Sequence, residues 1–117
     1  MAYDEELADR IREIVSVEPD LTEQRMFGGL AFIIGGHMAV AASGRGGLMV
    51  RADPDRSAAL VAASNAVPMV IGGRQMAGWL RLESSDVATK RQLTKWVRIG
   101  VEYVQSLPPK RHVKKRR

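Results

Sequence analysis

The sequence has no cysteine, few aromatic residues and only two histidines among its 117 residues. The absence of cysteine excludes disulfides, thiolate metal sites and cysteine nucleophiles. No apolar run approaches the roughly 20 residues that span a bilayer. The N-terminus is acidic, where a secretory signal would be positively charged. These absences predict a cytoplasmic protein without covalent cross-links.

Length and composition fit one globular domain. Hydrophobic residues make up 45% of the chain and charged residues 26%, which is ordinary for such a domain. The charge is distributed unevenly. Because the whole chain carries +5 and residues 108–117 carry +6, residues 1–107 carry −1. We therefore predict an α+β domain at 1–107 and a basic tail at 108–117, which is too charged to fold alone.

Three helices are predicted from caps and apolar spacing. Asp4 is a good N-cap, and apolar residues follow it at helical spacing until Pro19 stops the pattern. Asp53-Pro54 combines an N-cap with a proline at the first helical position. The third helix is expected from about Ser85-Asp86 to Ser106, with an apolar stripe that includes Gly100.

Short alternating segments between these helices predict strands. The segment from Gln24 to Ile34 has the pattern of one strand, in which Gly28-Gly29 would mark a bulge or a close backbone approach. Gly-Gly pairs then predict tight hairpins. The further predicted strands are 37–42, 48–51, 67–71 and 78–82. The order α-β-β-β-α-β-β-α predicts a two-layer α+β sandwich with an antiparallel sheet and helices on one face.

The sequence offers little catalytic chemistry. His37 follows a hairpin turn without a nearby carboxylate, and His112 lies in the basic tail. No His, Asp and Glu cluster has metal-ligand spacing. The glycine-rich segments at 43–47 and 72–74 lack the Lys-Ser/Thr and the following helix of a phosphate loop. We therefore predict no catalytic, cofactor-binding or metal-binding residue, and no enzyme.

The basic tail is the strongest physical signal for a partner. Its six basic side chains can attract the phosphate backbone of a nucleic acid without contacting the nucleobases. A purely solubilising role remains an equal alternative. The residues concerned are Lys110, Arg111, Lys114, Lys115, Arg116 and Arg117.

Two arginines at predicted strand ends suggest a second contact surface. Arg25 precedes the glycine pair and Arg51 ends a strand, so both could meet an acidic partner. Ordinary solvated charge is the alternative for each of them. A pocket near Arg25, Met26 and Arg51 would instead suit a small ligand or an enzyme. Self-association through a strand edge leaves a homodimer open as well.

An ordered set of motifs along nearly the whole chain resembles the TfoX/Sxy N-terminal domain family, which is named for a bacterial regulator of competence genes. The motifs are Arg25-Met26-Phe27-Gly28-Gly29, Arg51-Ala52-Asp53-Pro54, Pro68-Met69, Gly78-Trp79-Leu80, Trp96-Val97-x-x-Gly100 and Ser106-Leu107-Pro108.

This resemblance implies a fold similar to that of secretion chaperones and a role in bacterial transcription regulation through contact with another regulator. It supplies no catalytic residues. The longer regulators have a second, helical domain, so we expect this chain to act as a stand-alone module. The expected function is a non-enzymatic interaction module with partner contacts at Arg25, Phe27, Gly28, Gly29 and Arg51.

Overall fold

The computed structural model describes residues 3–26 and 28–108. These residues form three helices, six strands and a short 3₁₀ turn at Ser84–Val87. In chain order the elements are α1 (Glu5–Val15), β1 (Leu21–Met26), β2 (Gly29–Ile34), β3 (His37–Ala42), β4 (Leu48–Arg51), α2 (Pro54–Ala62), β5 (Val67–Ile71), β6 (Arg74–Leu82) and α3 (Lys90–Gln105).

The six strands form one sheet in the order β1-β2-β3-β4-β6-β5, and every neighbouring pair is antiparallel. The chain leaves β4 through α2, forms the edge strand β5 and returns as β6 between them. Helices α1 and α3 bury their apolar sides on one face, and Leu60 and Val61 of α2 pack against the same core. The predicted two-layer α+β sandwich is confirmed.

The segment predicted as one strand from Gln24 to Ile34 is two strands in the structure. Gly28 has a φ of +77°, a left-handed conformation in which the chain reverses between β1 and β2. The glycine pair therefore marks a hairpin turn, and the predicted bulge within one strand is wrong. The predicted close backbone approach is confirmed at Gly29, where a Cβ would overlap the Ala42 carbonyl oxygen.

The helix starts follow from their caps. The Asp4 side chain accepts a hydrogen bond from the Leu7 amide, and Asp53 caps α2 with Pro54 behind it. The third helix begins later than predicted. Asp86 belongs to the 3₁₀ turn, and Thr89 forms a reciprocal capping box with Gln92 at the start of α3.

The core lies between the sheet and α1 and α3. Phe32 of β2 is its largest completely buried side chain. Gly100 lets α3 lie directly on β3, since a Cβ there would overlap the Ala39 carbonyl oxygen. The helix layer is thus seated closely on the middle of the sheet.

Candidate protein-interaction surface

The predicted partner residues around the glycine pair lie at the β1–β2 turn. Arg25 is exposed on the edge strand β1, Gly28 is exposed in the turn, and Gly29 is buried at the start of β2. Phe27 lies outside the described residues. Gly29 has a structural reason to be glycine, because it packs against the backbone of the β3–β4 connection.

The β3–β4 connection beside this turn is held by an arginine that sequence reasoning missed. Arg81 donates from Nη1 to Ser43 Oγ and from Nη2 to the Gly46 carbonyl, each at 3.2 Å. Ser43 is buried, and its Oγ also accepts from the Arg45 amide at 3.1 Å. Fixed donors and acceptors of this kind keep a glycine-rich connection in one conformation.

Arg51 is placed by two aromatic rings. Its guanidinium carbon lies 5.3 Å from the Trp79 ring centre and 5.6 Å from that of Tyr103, both within cation–π range. Trp79 is its direct partner across β4 and β6. Among the ion pairs of the described residues, none involves Arg51. The Arg51 guanidinium thus has aromatic partners but no carboxylate partner among the described residues.

The sheet does not bring Arg25 and Arg51 together. The strand pairing puts Arg25 of β1 in line with Leu48 of β4, three strands away, through Leu30 and Ala42. Arg51 lies three residues further along β4. With about 4.8 Å between strands and about 3.3 Å per residue, the two Cα atoms are roughly 17 Å apart. They cannot line one small pocket.

The second face of the sheet is not covered by any helix that the structure describes. Side chains directly opposite each other in antiparallel strands share a face, so the register identifies its members. We call this surface the open face. In the middle strands it comprises Ala31, Ile33, Met38, Ala41, Met49, Trp79 and Arg81, and Thr22, Gln24 and Val67 extend it onto the edge strands. Arg51 lies at its end, where the guanidinium also reaches Tyr103 of α3.

The open face combines an apolar centre with positive charge. Ala31 and Ala41 are buried, whereas Ile33, Met38 and Met49 are half-buried. Glu23 is the one acid within the six strands, and it is turned toward the helix layer, where it meets Arg12. The open face therefore presents cations without anions.

Arg12 and Glu23 form a bidentate pair that ties α1 to β1. Nε and Nη2 of Arg12 donate to the two carboxylate oxygens at 2.6 and 2.9 Å. These bonds lower the pKa of Glu23 below its ordinary value, and they raise the pKa of Arg12. This part of β1 is consequently engaged with the helix layer.

The clefts of the described part are small. One of about 160 Å³ lies between the β2–β3 turn and the end of α3, and is lined by Pro19, Ile34, His37 and Leu107 among others. His37 Nε2 lies 2.7 Å from the Pro108 carbonyl oxygen and can donate to it. Another, of about 340 Å³, has a mixed lining that includes Asn65, which donates to Asp86.

The described residues show no built catalytic or metal centre. Residues 3–26 and 28–108 contain no group of three His, Cys, Asp or Glu side chains arranged to hold a metal ion. His37 contacts a backbone carbonyl, not a nucleophile or a carboxylate. His112 and the six basic tail residues lie outside the described residues. No helix in that range has the length and apolarity to cross a bilayer.

The described residues form a small α+β domain with small clefts and a sheet face that no described helix covers. A family model of the TfoX N-terminal domain matches residues 13–103. The chain therefore belongs to the TfoX N-terminal domain family, as its motifs predicted. No curated protein matches the chain, and no solved structure matches it.

Proposed function

We propose that this domain is a non-enzymatic regulatory module that binds a protein partner, a bacterial transcription regulator of the competence type. The observation that carries the proposal is the open face, an apolar sheet surface with arginines and no acid. Family membership supports a regulatory role. Its larger apolar side chains are half-buried, with no described helix over them, and contiguous apolar surface of this kind often marks an interaction site.

The partner surface is expected to be apolar and acidic. Arg81 is on the open face, Arg51 lies at its end, and Arg25 is exposed on the β1 edge, on the side of Leu30. Complementary charge speeds association and selects partners, whereas the apolar centre supplies most of the affinity. Arg51 is held by two aromatic rings, so little side-chain freedom is lost when it pairs with a carboxylate.

The test is affinity purification from the bacterium that makes the protein, with identification of retained proteins by mass spectrometry. Met49→Glu puts a carboxylate in the apolar centre of the open face and lowers its positive charge, and this carboxylate can pair with Arg81 directly across the strands. Arg91→Glu, an exposed position on α3, is the matched control. A regulator retained by the wild type and the control, but lost with Met49→Glu, is the expected result. Retention by all three would contradict the proposal.

A second candidate function is non-specific binding of duplex DNA by the basic tail. The contact between His37 and Pro108 fixes where the tail leaves the domain, beside the β2–β3 turn. If all six basic side chains bind phosphates, a plot of the logarithm of the binding constant against the logarithm of the salt concentration should have a slope near −5, at about −0.9 per phosphate. Random duplex DNA and a salt series measure this slope.

Truncation after Pro108 should abolish this slope while leaving the circular dichroism spectrum unchanged. An equal slope with and without the tail would place DNA binding elsewhere. A small-ligand or enzymatic role has less support, because Arg25 and Arg51 are roughly 17 Å apart by register.

A further inference from the structure

The two edges of the sheet differ in chemistry, and we propose that β5 is a dimerisation edge. Two copies pair β5 with β5 in antiparallel fashion about a two-fold axis near Met69, the middle residue of the strand. This pairing joins two six-stranded sheets into one continuous sheet. The proposal concerns an edge and not the open face, so it is independent of the function proposed above.

The β5–β6 hairpin stands out from the rest of the sheet. Pairing of β4 with β6 ends at Arg51 and Trp79, so residues 74–77 of β6 extend beyond it. Most of the hairpin is exposed. Val67 is 51% exposed and Val70 is 59% exposed. Exposed large apolar side chains thus concentrate on a hairpin whose outer strand, β5, has one backbone edge that pairs with none of the described strands.

An unpaired edge is best covered by another extended strand, because only a strand satisfies its row of backbone donors and acceptors. Natural edges normally resist such pairing with charged side chains. The sequence of β5, Val-Pro-Met-Val-Ile, has no charge. Pro68 and the irregularity between Pro68 and Met69 limit the ladder, as edge prolines and bulges do, but the edge is uncharged.

The opposite edge is protected. β1 carries Glu23 and Arg25 within six residues, and Glu23 is already bound by Arg12. Because one of the two edges of the described sheet is uncharged, pairing closes as a dimer and does not continue into a filament.

A second copy is the occupant that the chain itself supplies. The required partner is an uncharged, apolar, extended segment, and β5 is such a segment. When a two-fold axis relates two copies of β5, neither strand brings a charged side chain against the other. Residues 1–107 carry a net charge of only −1, so repulsion between two domains is weak.

Sedimentation velocity and light scattering of the full chain test this proposal. Between about 1 and 300 µM, the range in which weak and stable dimers differ, the wild type should reach twice the monomer mass of 12.9 kDa. Val70→Lys should raise the dimer dissociation constant about tenfold or more, through lost apolar contact and like charge near the axis. A wild type that stays monomeric throughout this range overturns the proposal.

Val17→Lys is the matched control, since Val17 is 79% exposed in the segment between α1 and β1. It should leave dimerisation unchanged. Both substitutions are at exposed positions, and thermal melting confirms that each variant folds. Loss of the dimer with Val17→Lys but not with Val70→Lys would place the interface elsewhere and overturn the proposal.

A charge-swap mixture tests the two-fold pairing itself. Val70→Lys and Val70→Glu should each be monomeric alone and should form mixed dimers when combined, because opposite charges then lie diagonally across the axis, within reach of long side chains. A mixture that remains monomeric overturns the β5–β5 pairing. Met49→Glu, on the open face, should dimerise like the wild type.

Discussion

The middle of the sheet and the β5–β6 hairpin belong to one sheet but are stabilised differently. Strands β2, β3 and β4 lie beneath α1 and α3, and their inward side chains are completely buried. Beyond Trp79, the hairpin has no β4 partner among the described residues, and its helix contact is with α2, where Pro54 packs on Gly78. Burial therefore fixes the fold in the first region, whereas the second has apolar surface left for contacts with other molecules.

The largest expected effect is in the middle of the sheet. Phe32→Ala removes a fully buried ring and leaves a cavity, so it should lower the free energy of unfolding by about 3–5 kcal/mol. Val70→Ala in the hairpin, measured below the dimerisation range, should change it by less than about 0.5 kcal/mol. Urea unfolding followed by circular dichroism measures both. Equal losses would mean that the hairpin is as tightly packed as the centre.

Two glycine substitutions should have intermediate effects on stability, one through close packing and the other through backbone conformation. Gly100→Ala inserts a Cβ into the Ala39 carbonyl, and the resulting displacement of α3 should cost about 1–3 kcal/mol despite the better helix propensity of alanine. Gly72→Ala at the hairpin tip meets nothing within 4 Å and has a φ of +60°. It should cost about 1–2 kcal/mol, from backbone strain alone.

Near-ultraviolet circular dichroism distinguishes these two costs. The obstacle at Gly100 is the backbone carbonyl of Ala39, so the added methyl group must displace α3, which also carries the buried Trp96. Gly100→Ala should therefore change the near-ultraviolet spectrum. Gly72→Ala should leave that spectrum unchanged, because the hairpin tip is remote from the buried tryptophan. A spectral change with Gly72→Ala alone would contradict this division.

The smallest expected effect concerns the β1 edge. Arg12 lowers the pKa of Glu23 below its ordinary value of 4.5. A lowered folded-state pKa means that the contribution of Glu23 to stability is present above the unfolded pKa and is lost as pH falls through the folded value. The melting temperature of Glu23→Gln should thus lie slightly below that of the wild type at neutral pH, since exposed pairs contribute little.

This difference should disappear as the solution is acidified below about pH 4.5, where protonation of Glu23 removes the charge of the carboxylate. Thermal melts from pH 7 to pH 3 provide the comparison. Glu13→Gln, an exposed acid on α1 in none of the ion pairs found, is the control. A difference for Glu23→Gln that persists unchanged at pH 3 would exclude the ion pair as its cause.

The sequence predicted the elements whose pattern is local. Asp4 and Asp53-Pro54 start helices as expected, and β3, β4 and β5 have the predicted bounds. The first part of β1 escaped prediction, because an exposed edge strand needs no apolar alternation. Residues 74–77 of β6 escaped for the same reason.

The contacts that build the candidate surface could not be predicted. Arg51 meets Tyr103, and Arg81 meets Ser43, across separations in sequence that no local pattern encodes. Predicting them requires the strand order, in which β6 is inserted between β4 and β5. A signal did exist for the open face, since the strands contain several arginines and a single acid.

Insertion of β6 and the late position of α3 have a consequence for synthesis on the ribosome. The helix that covers the middle of the sheet is the last described element, and its inward side chains complete the core. β4 likewise waits for β6 before it gains its second neighbour. Until residue 105 has emerged, the nascent strands have α1 and α2 but lack α3, so part of their apolar core face stays uncovered. Apolar strands exposed in this way favour aggregation and chaperone binding during synthesis.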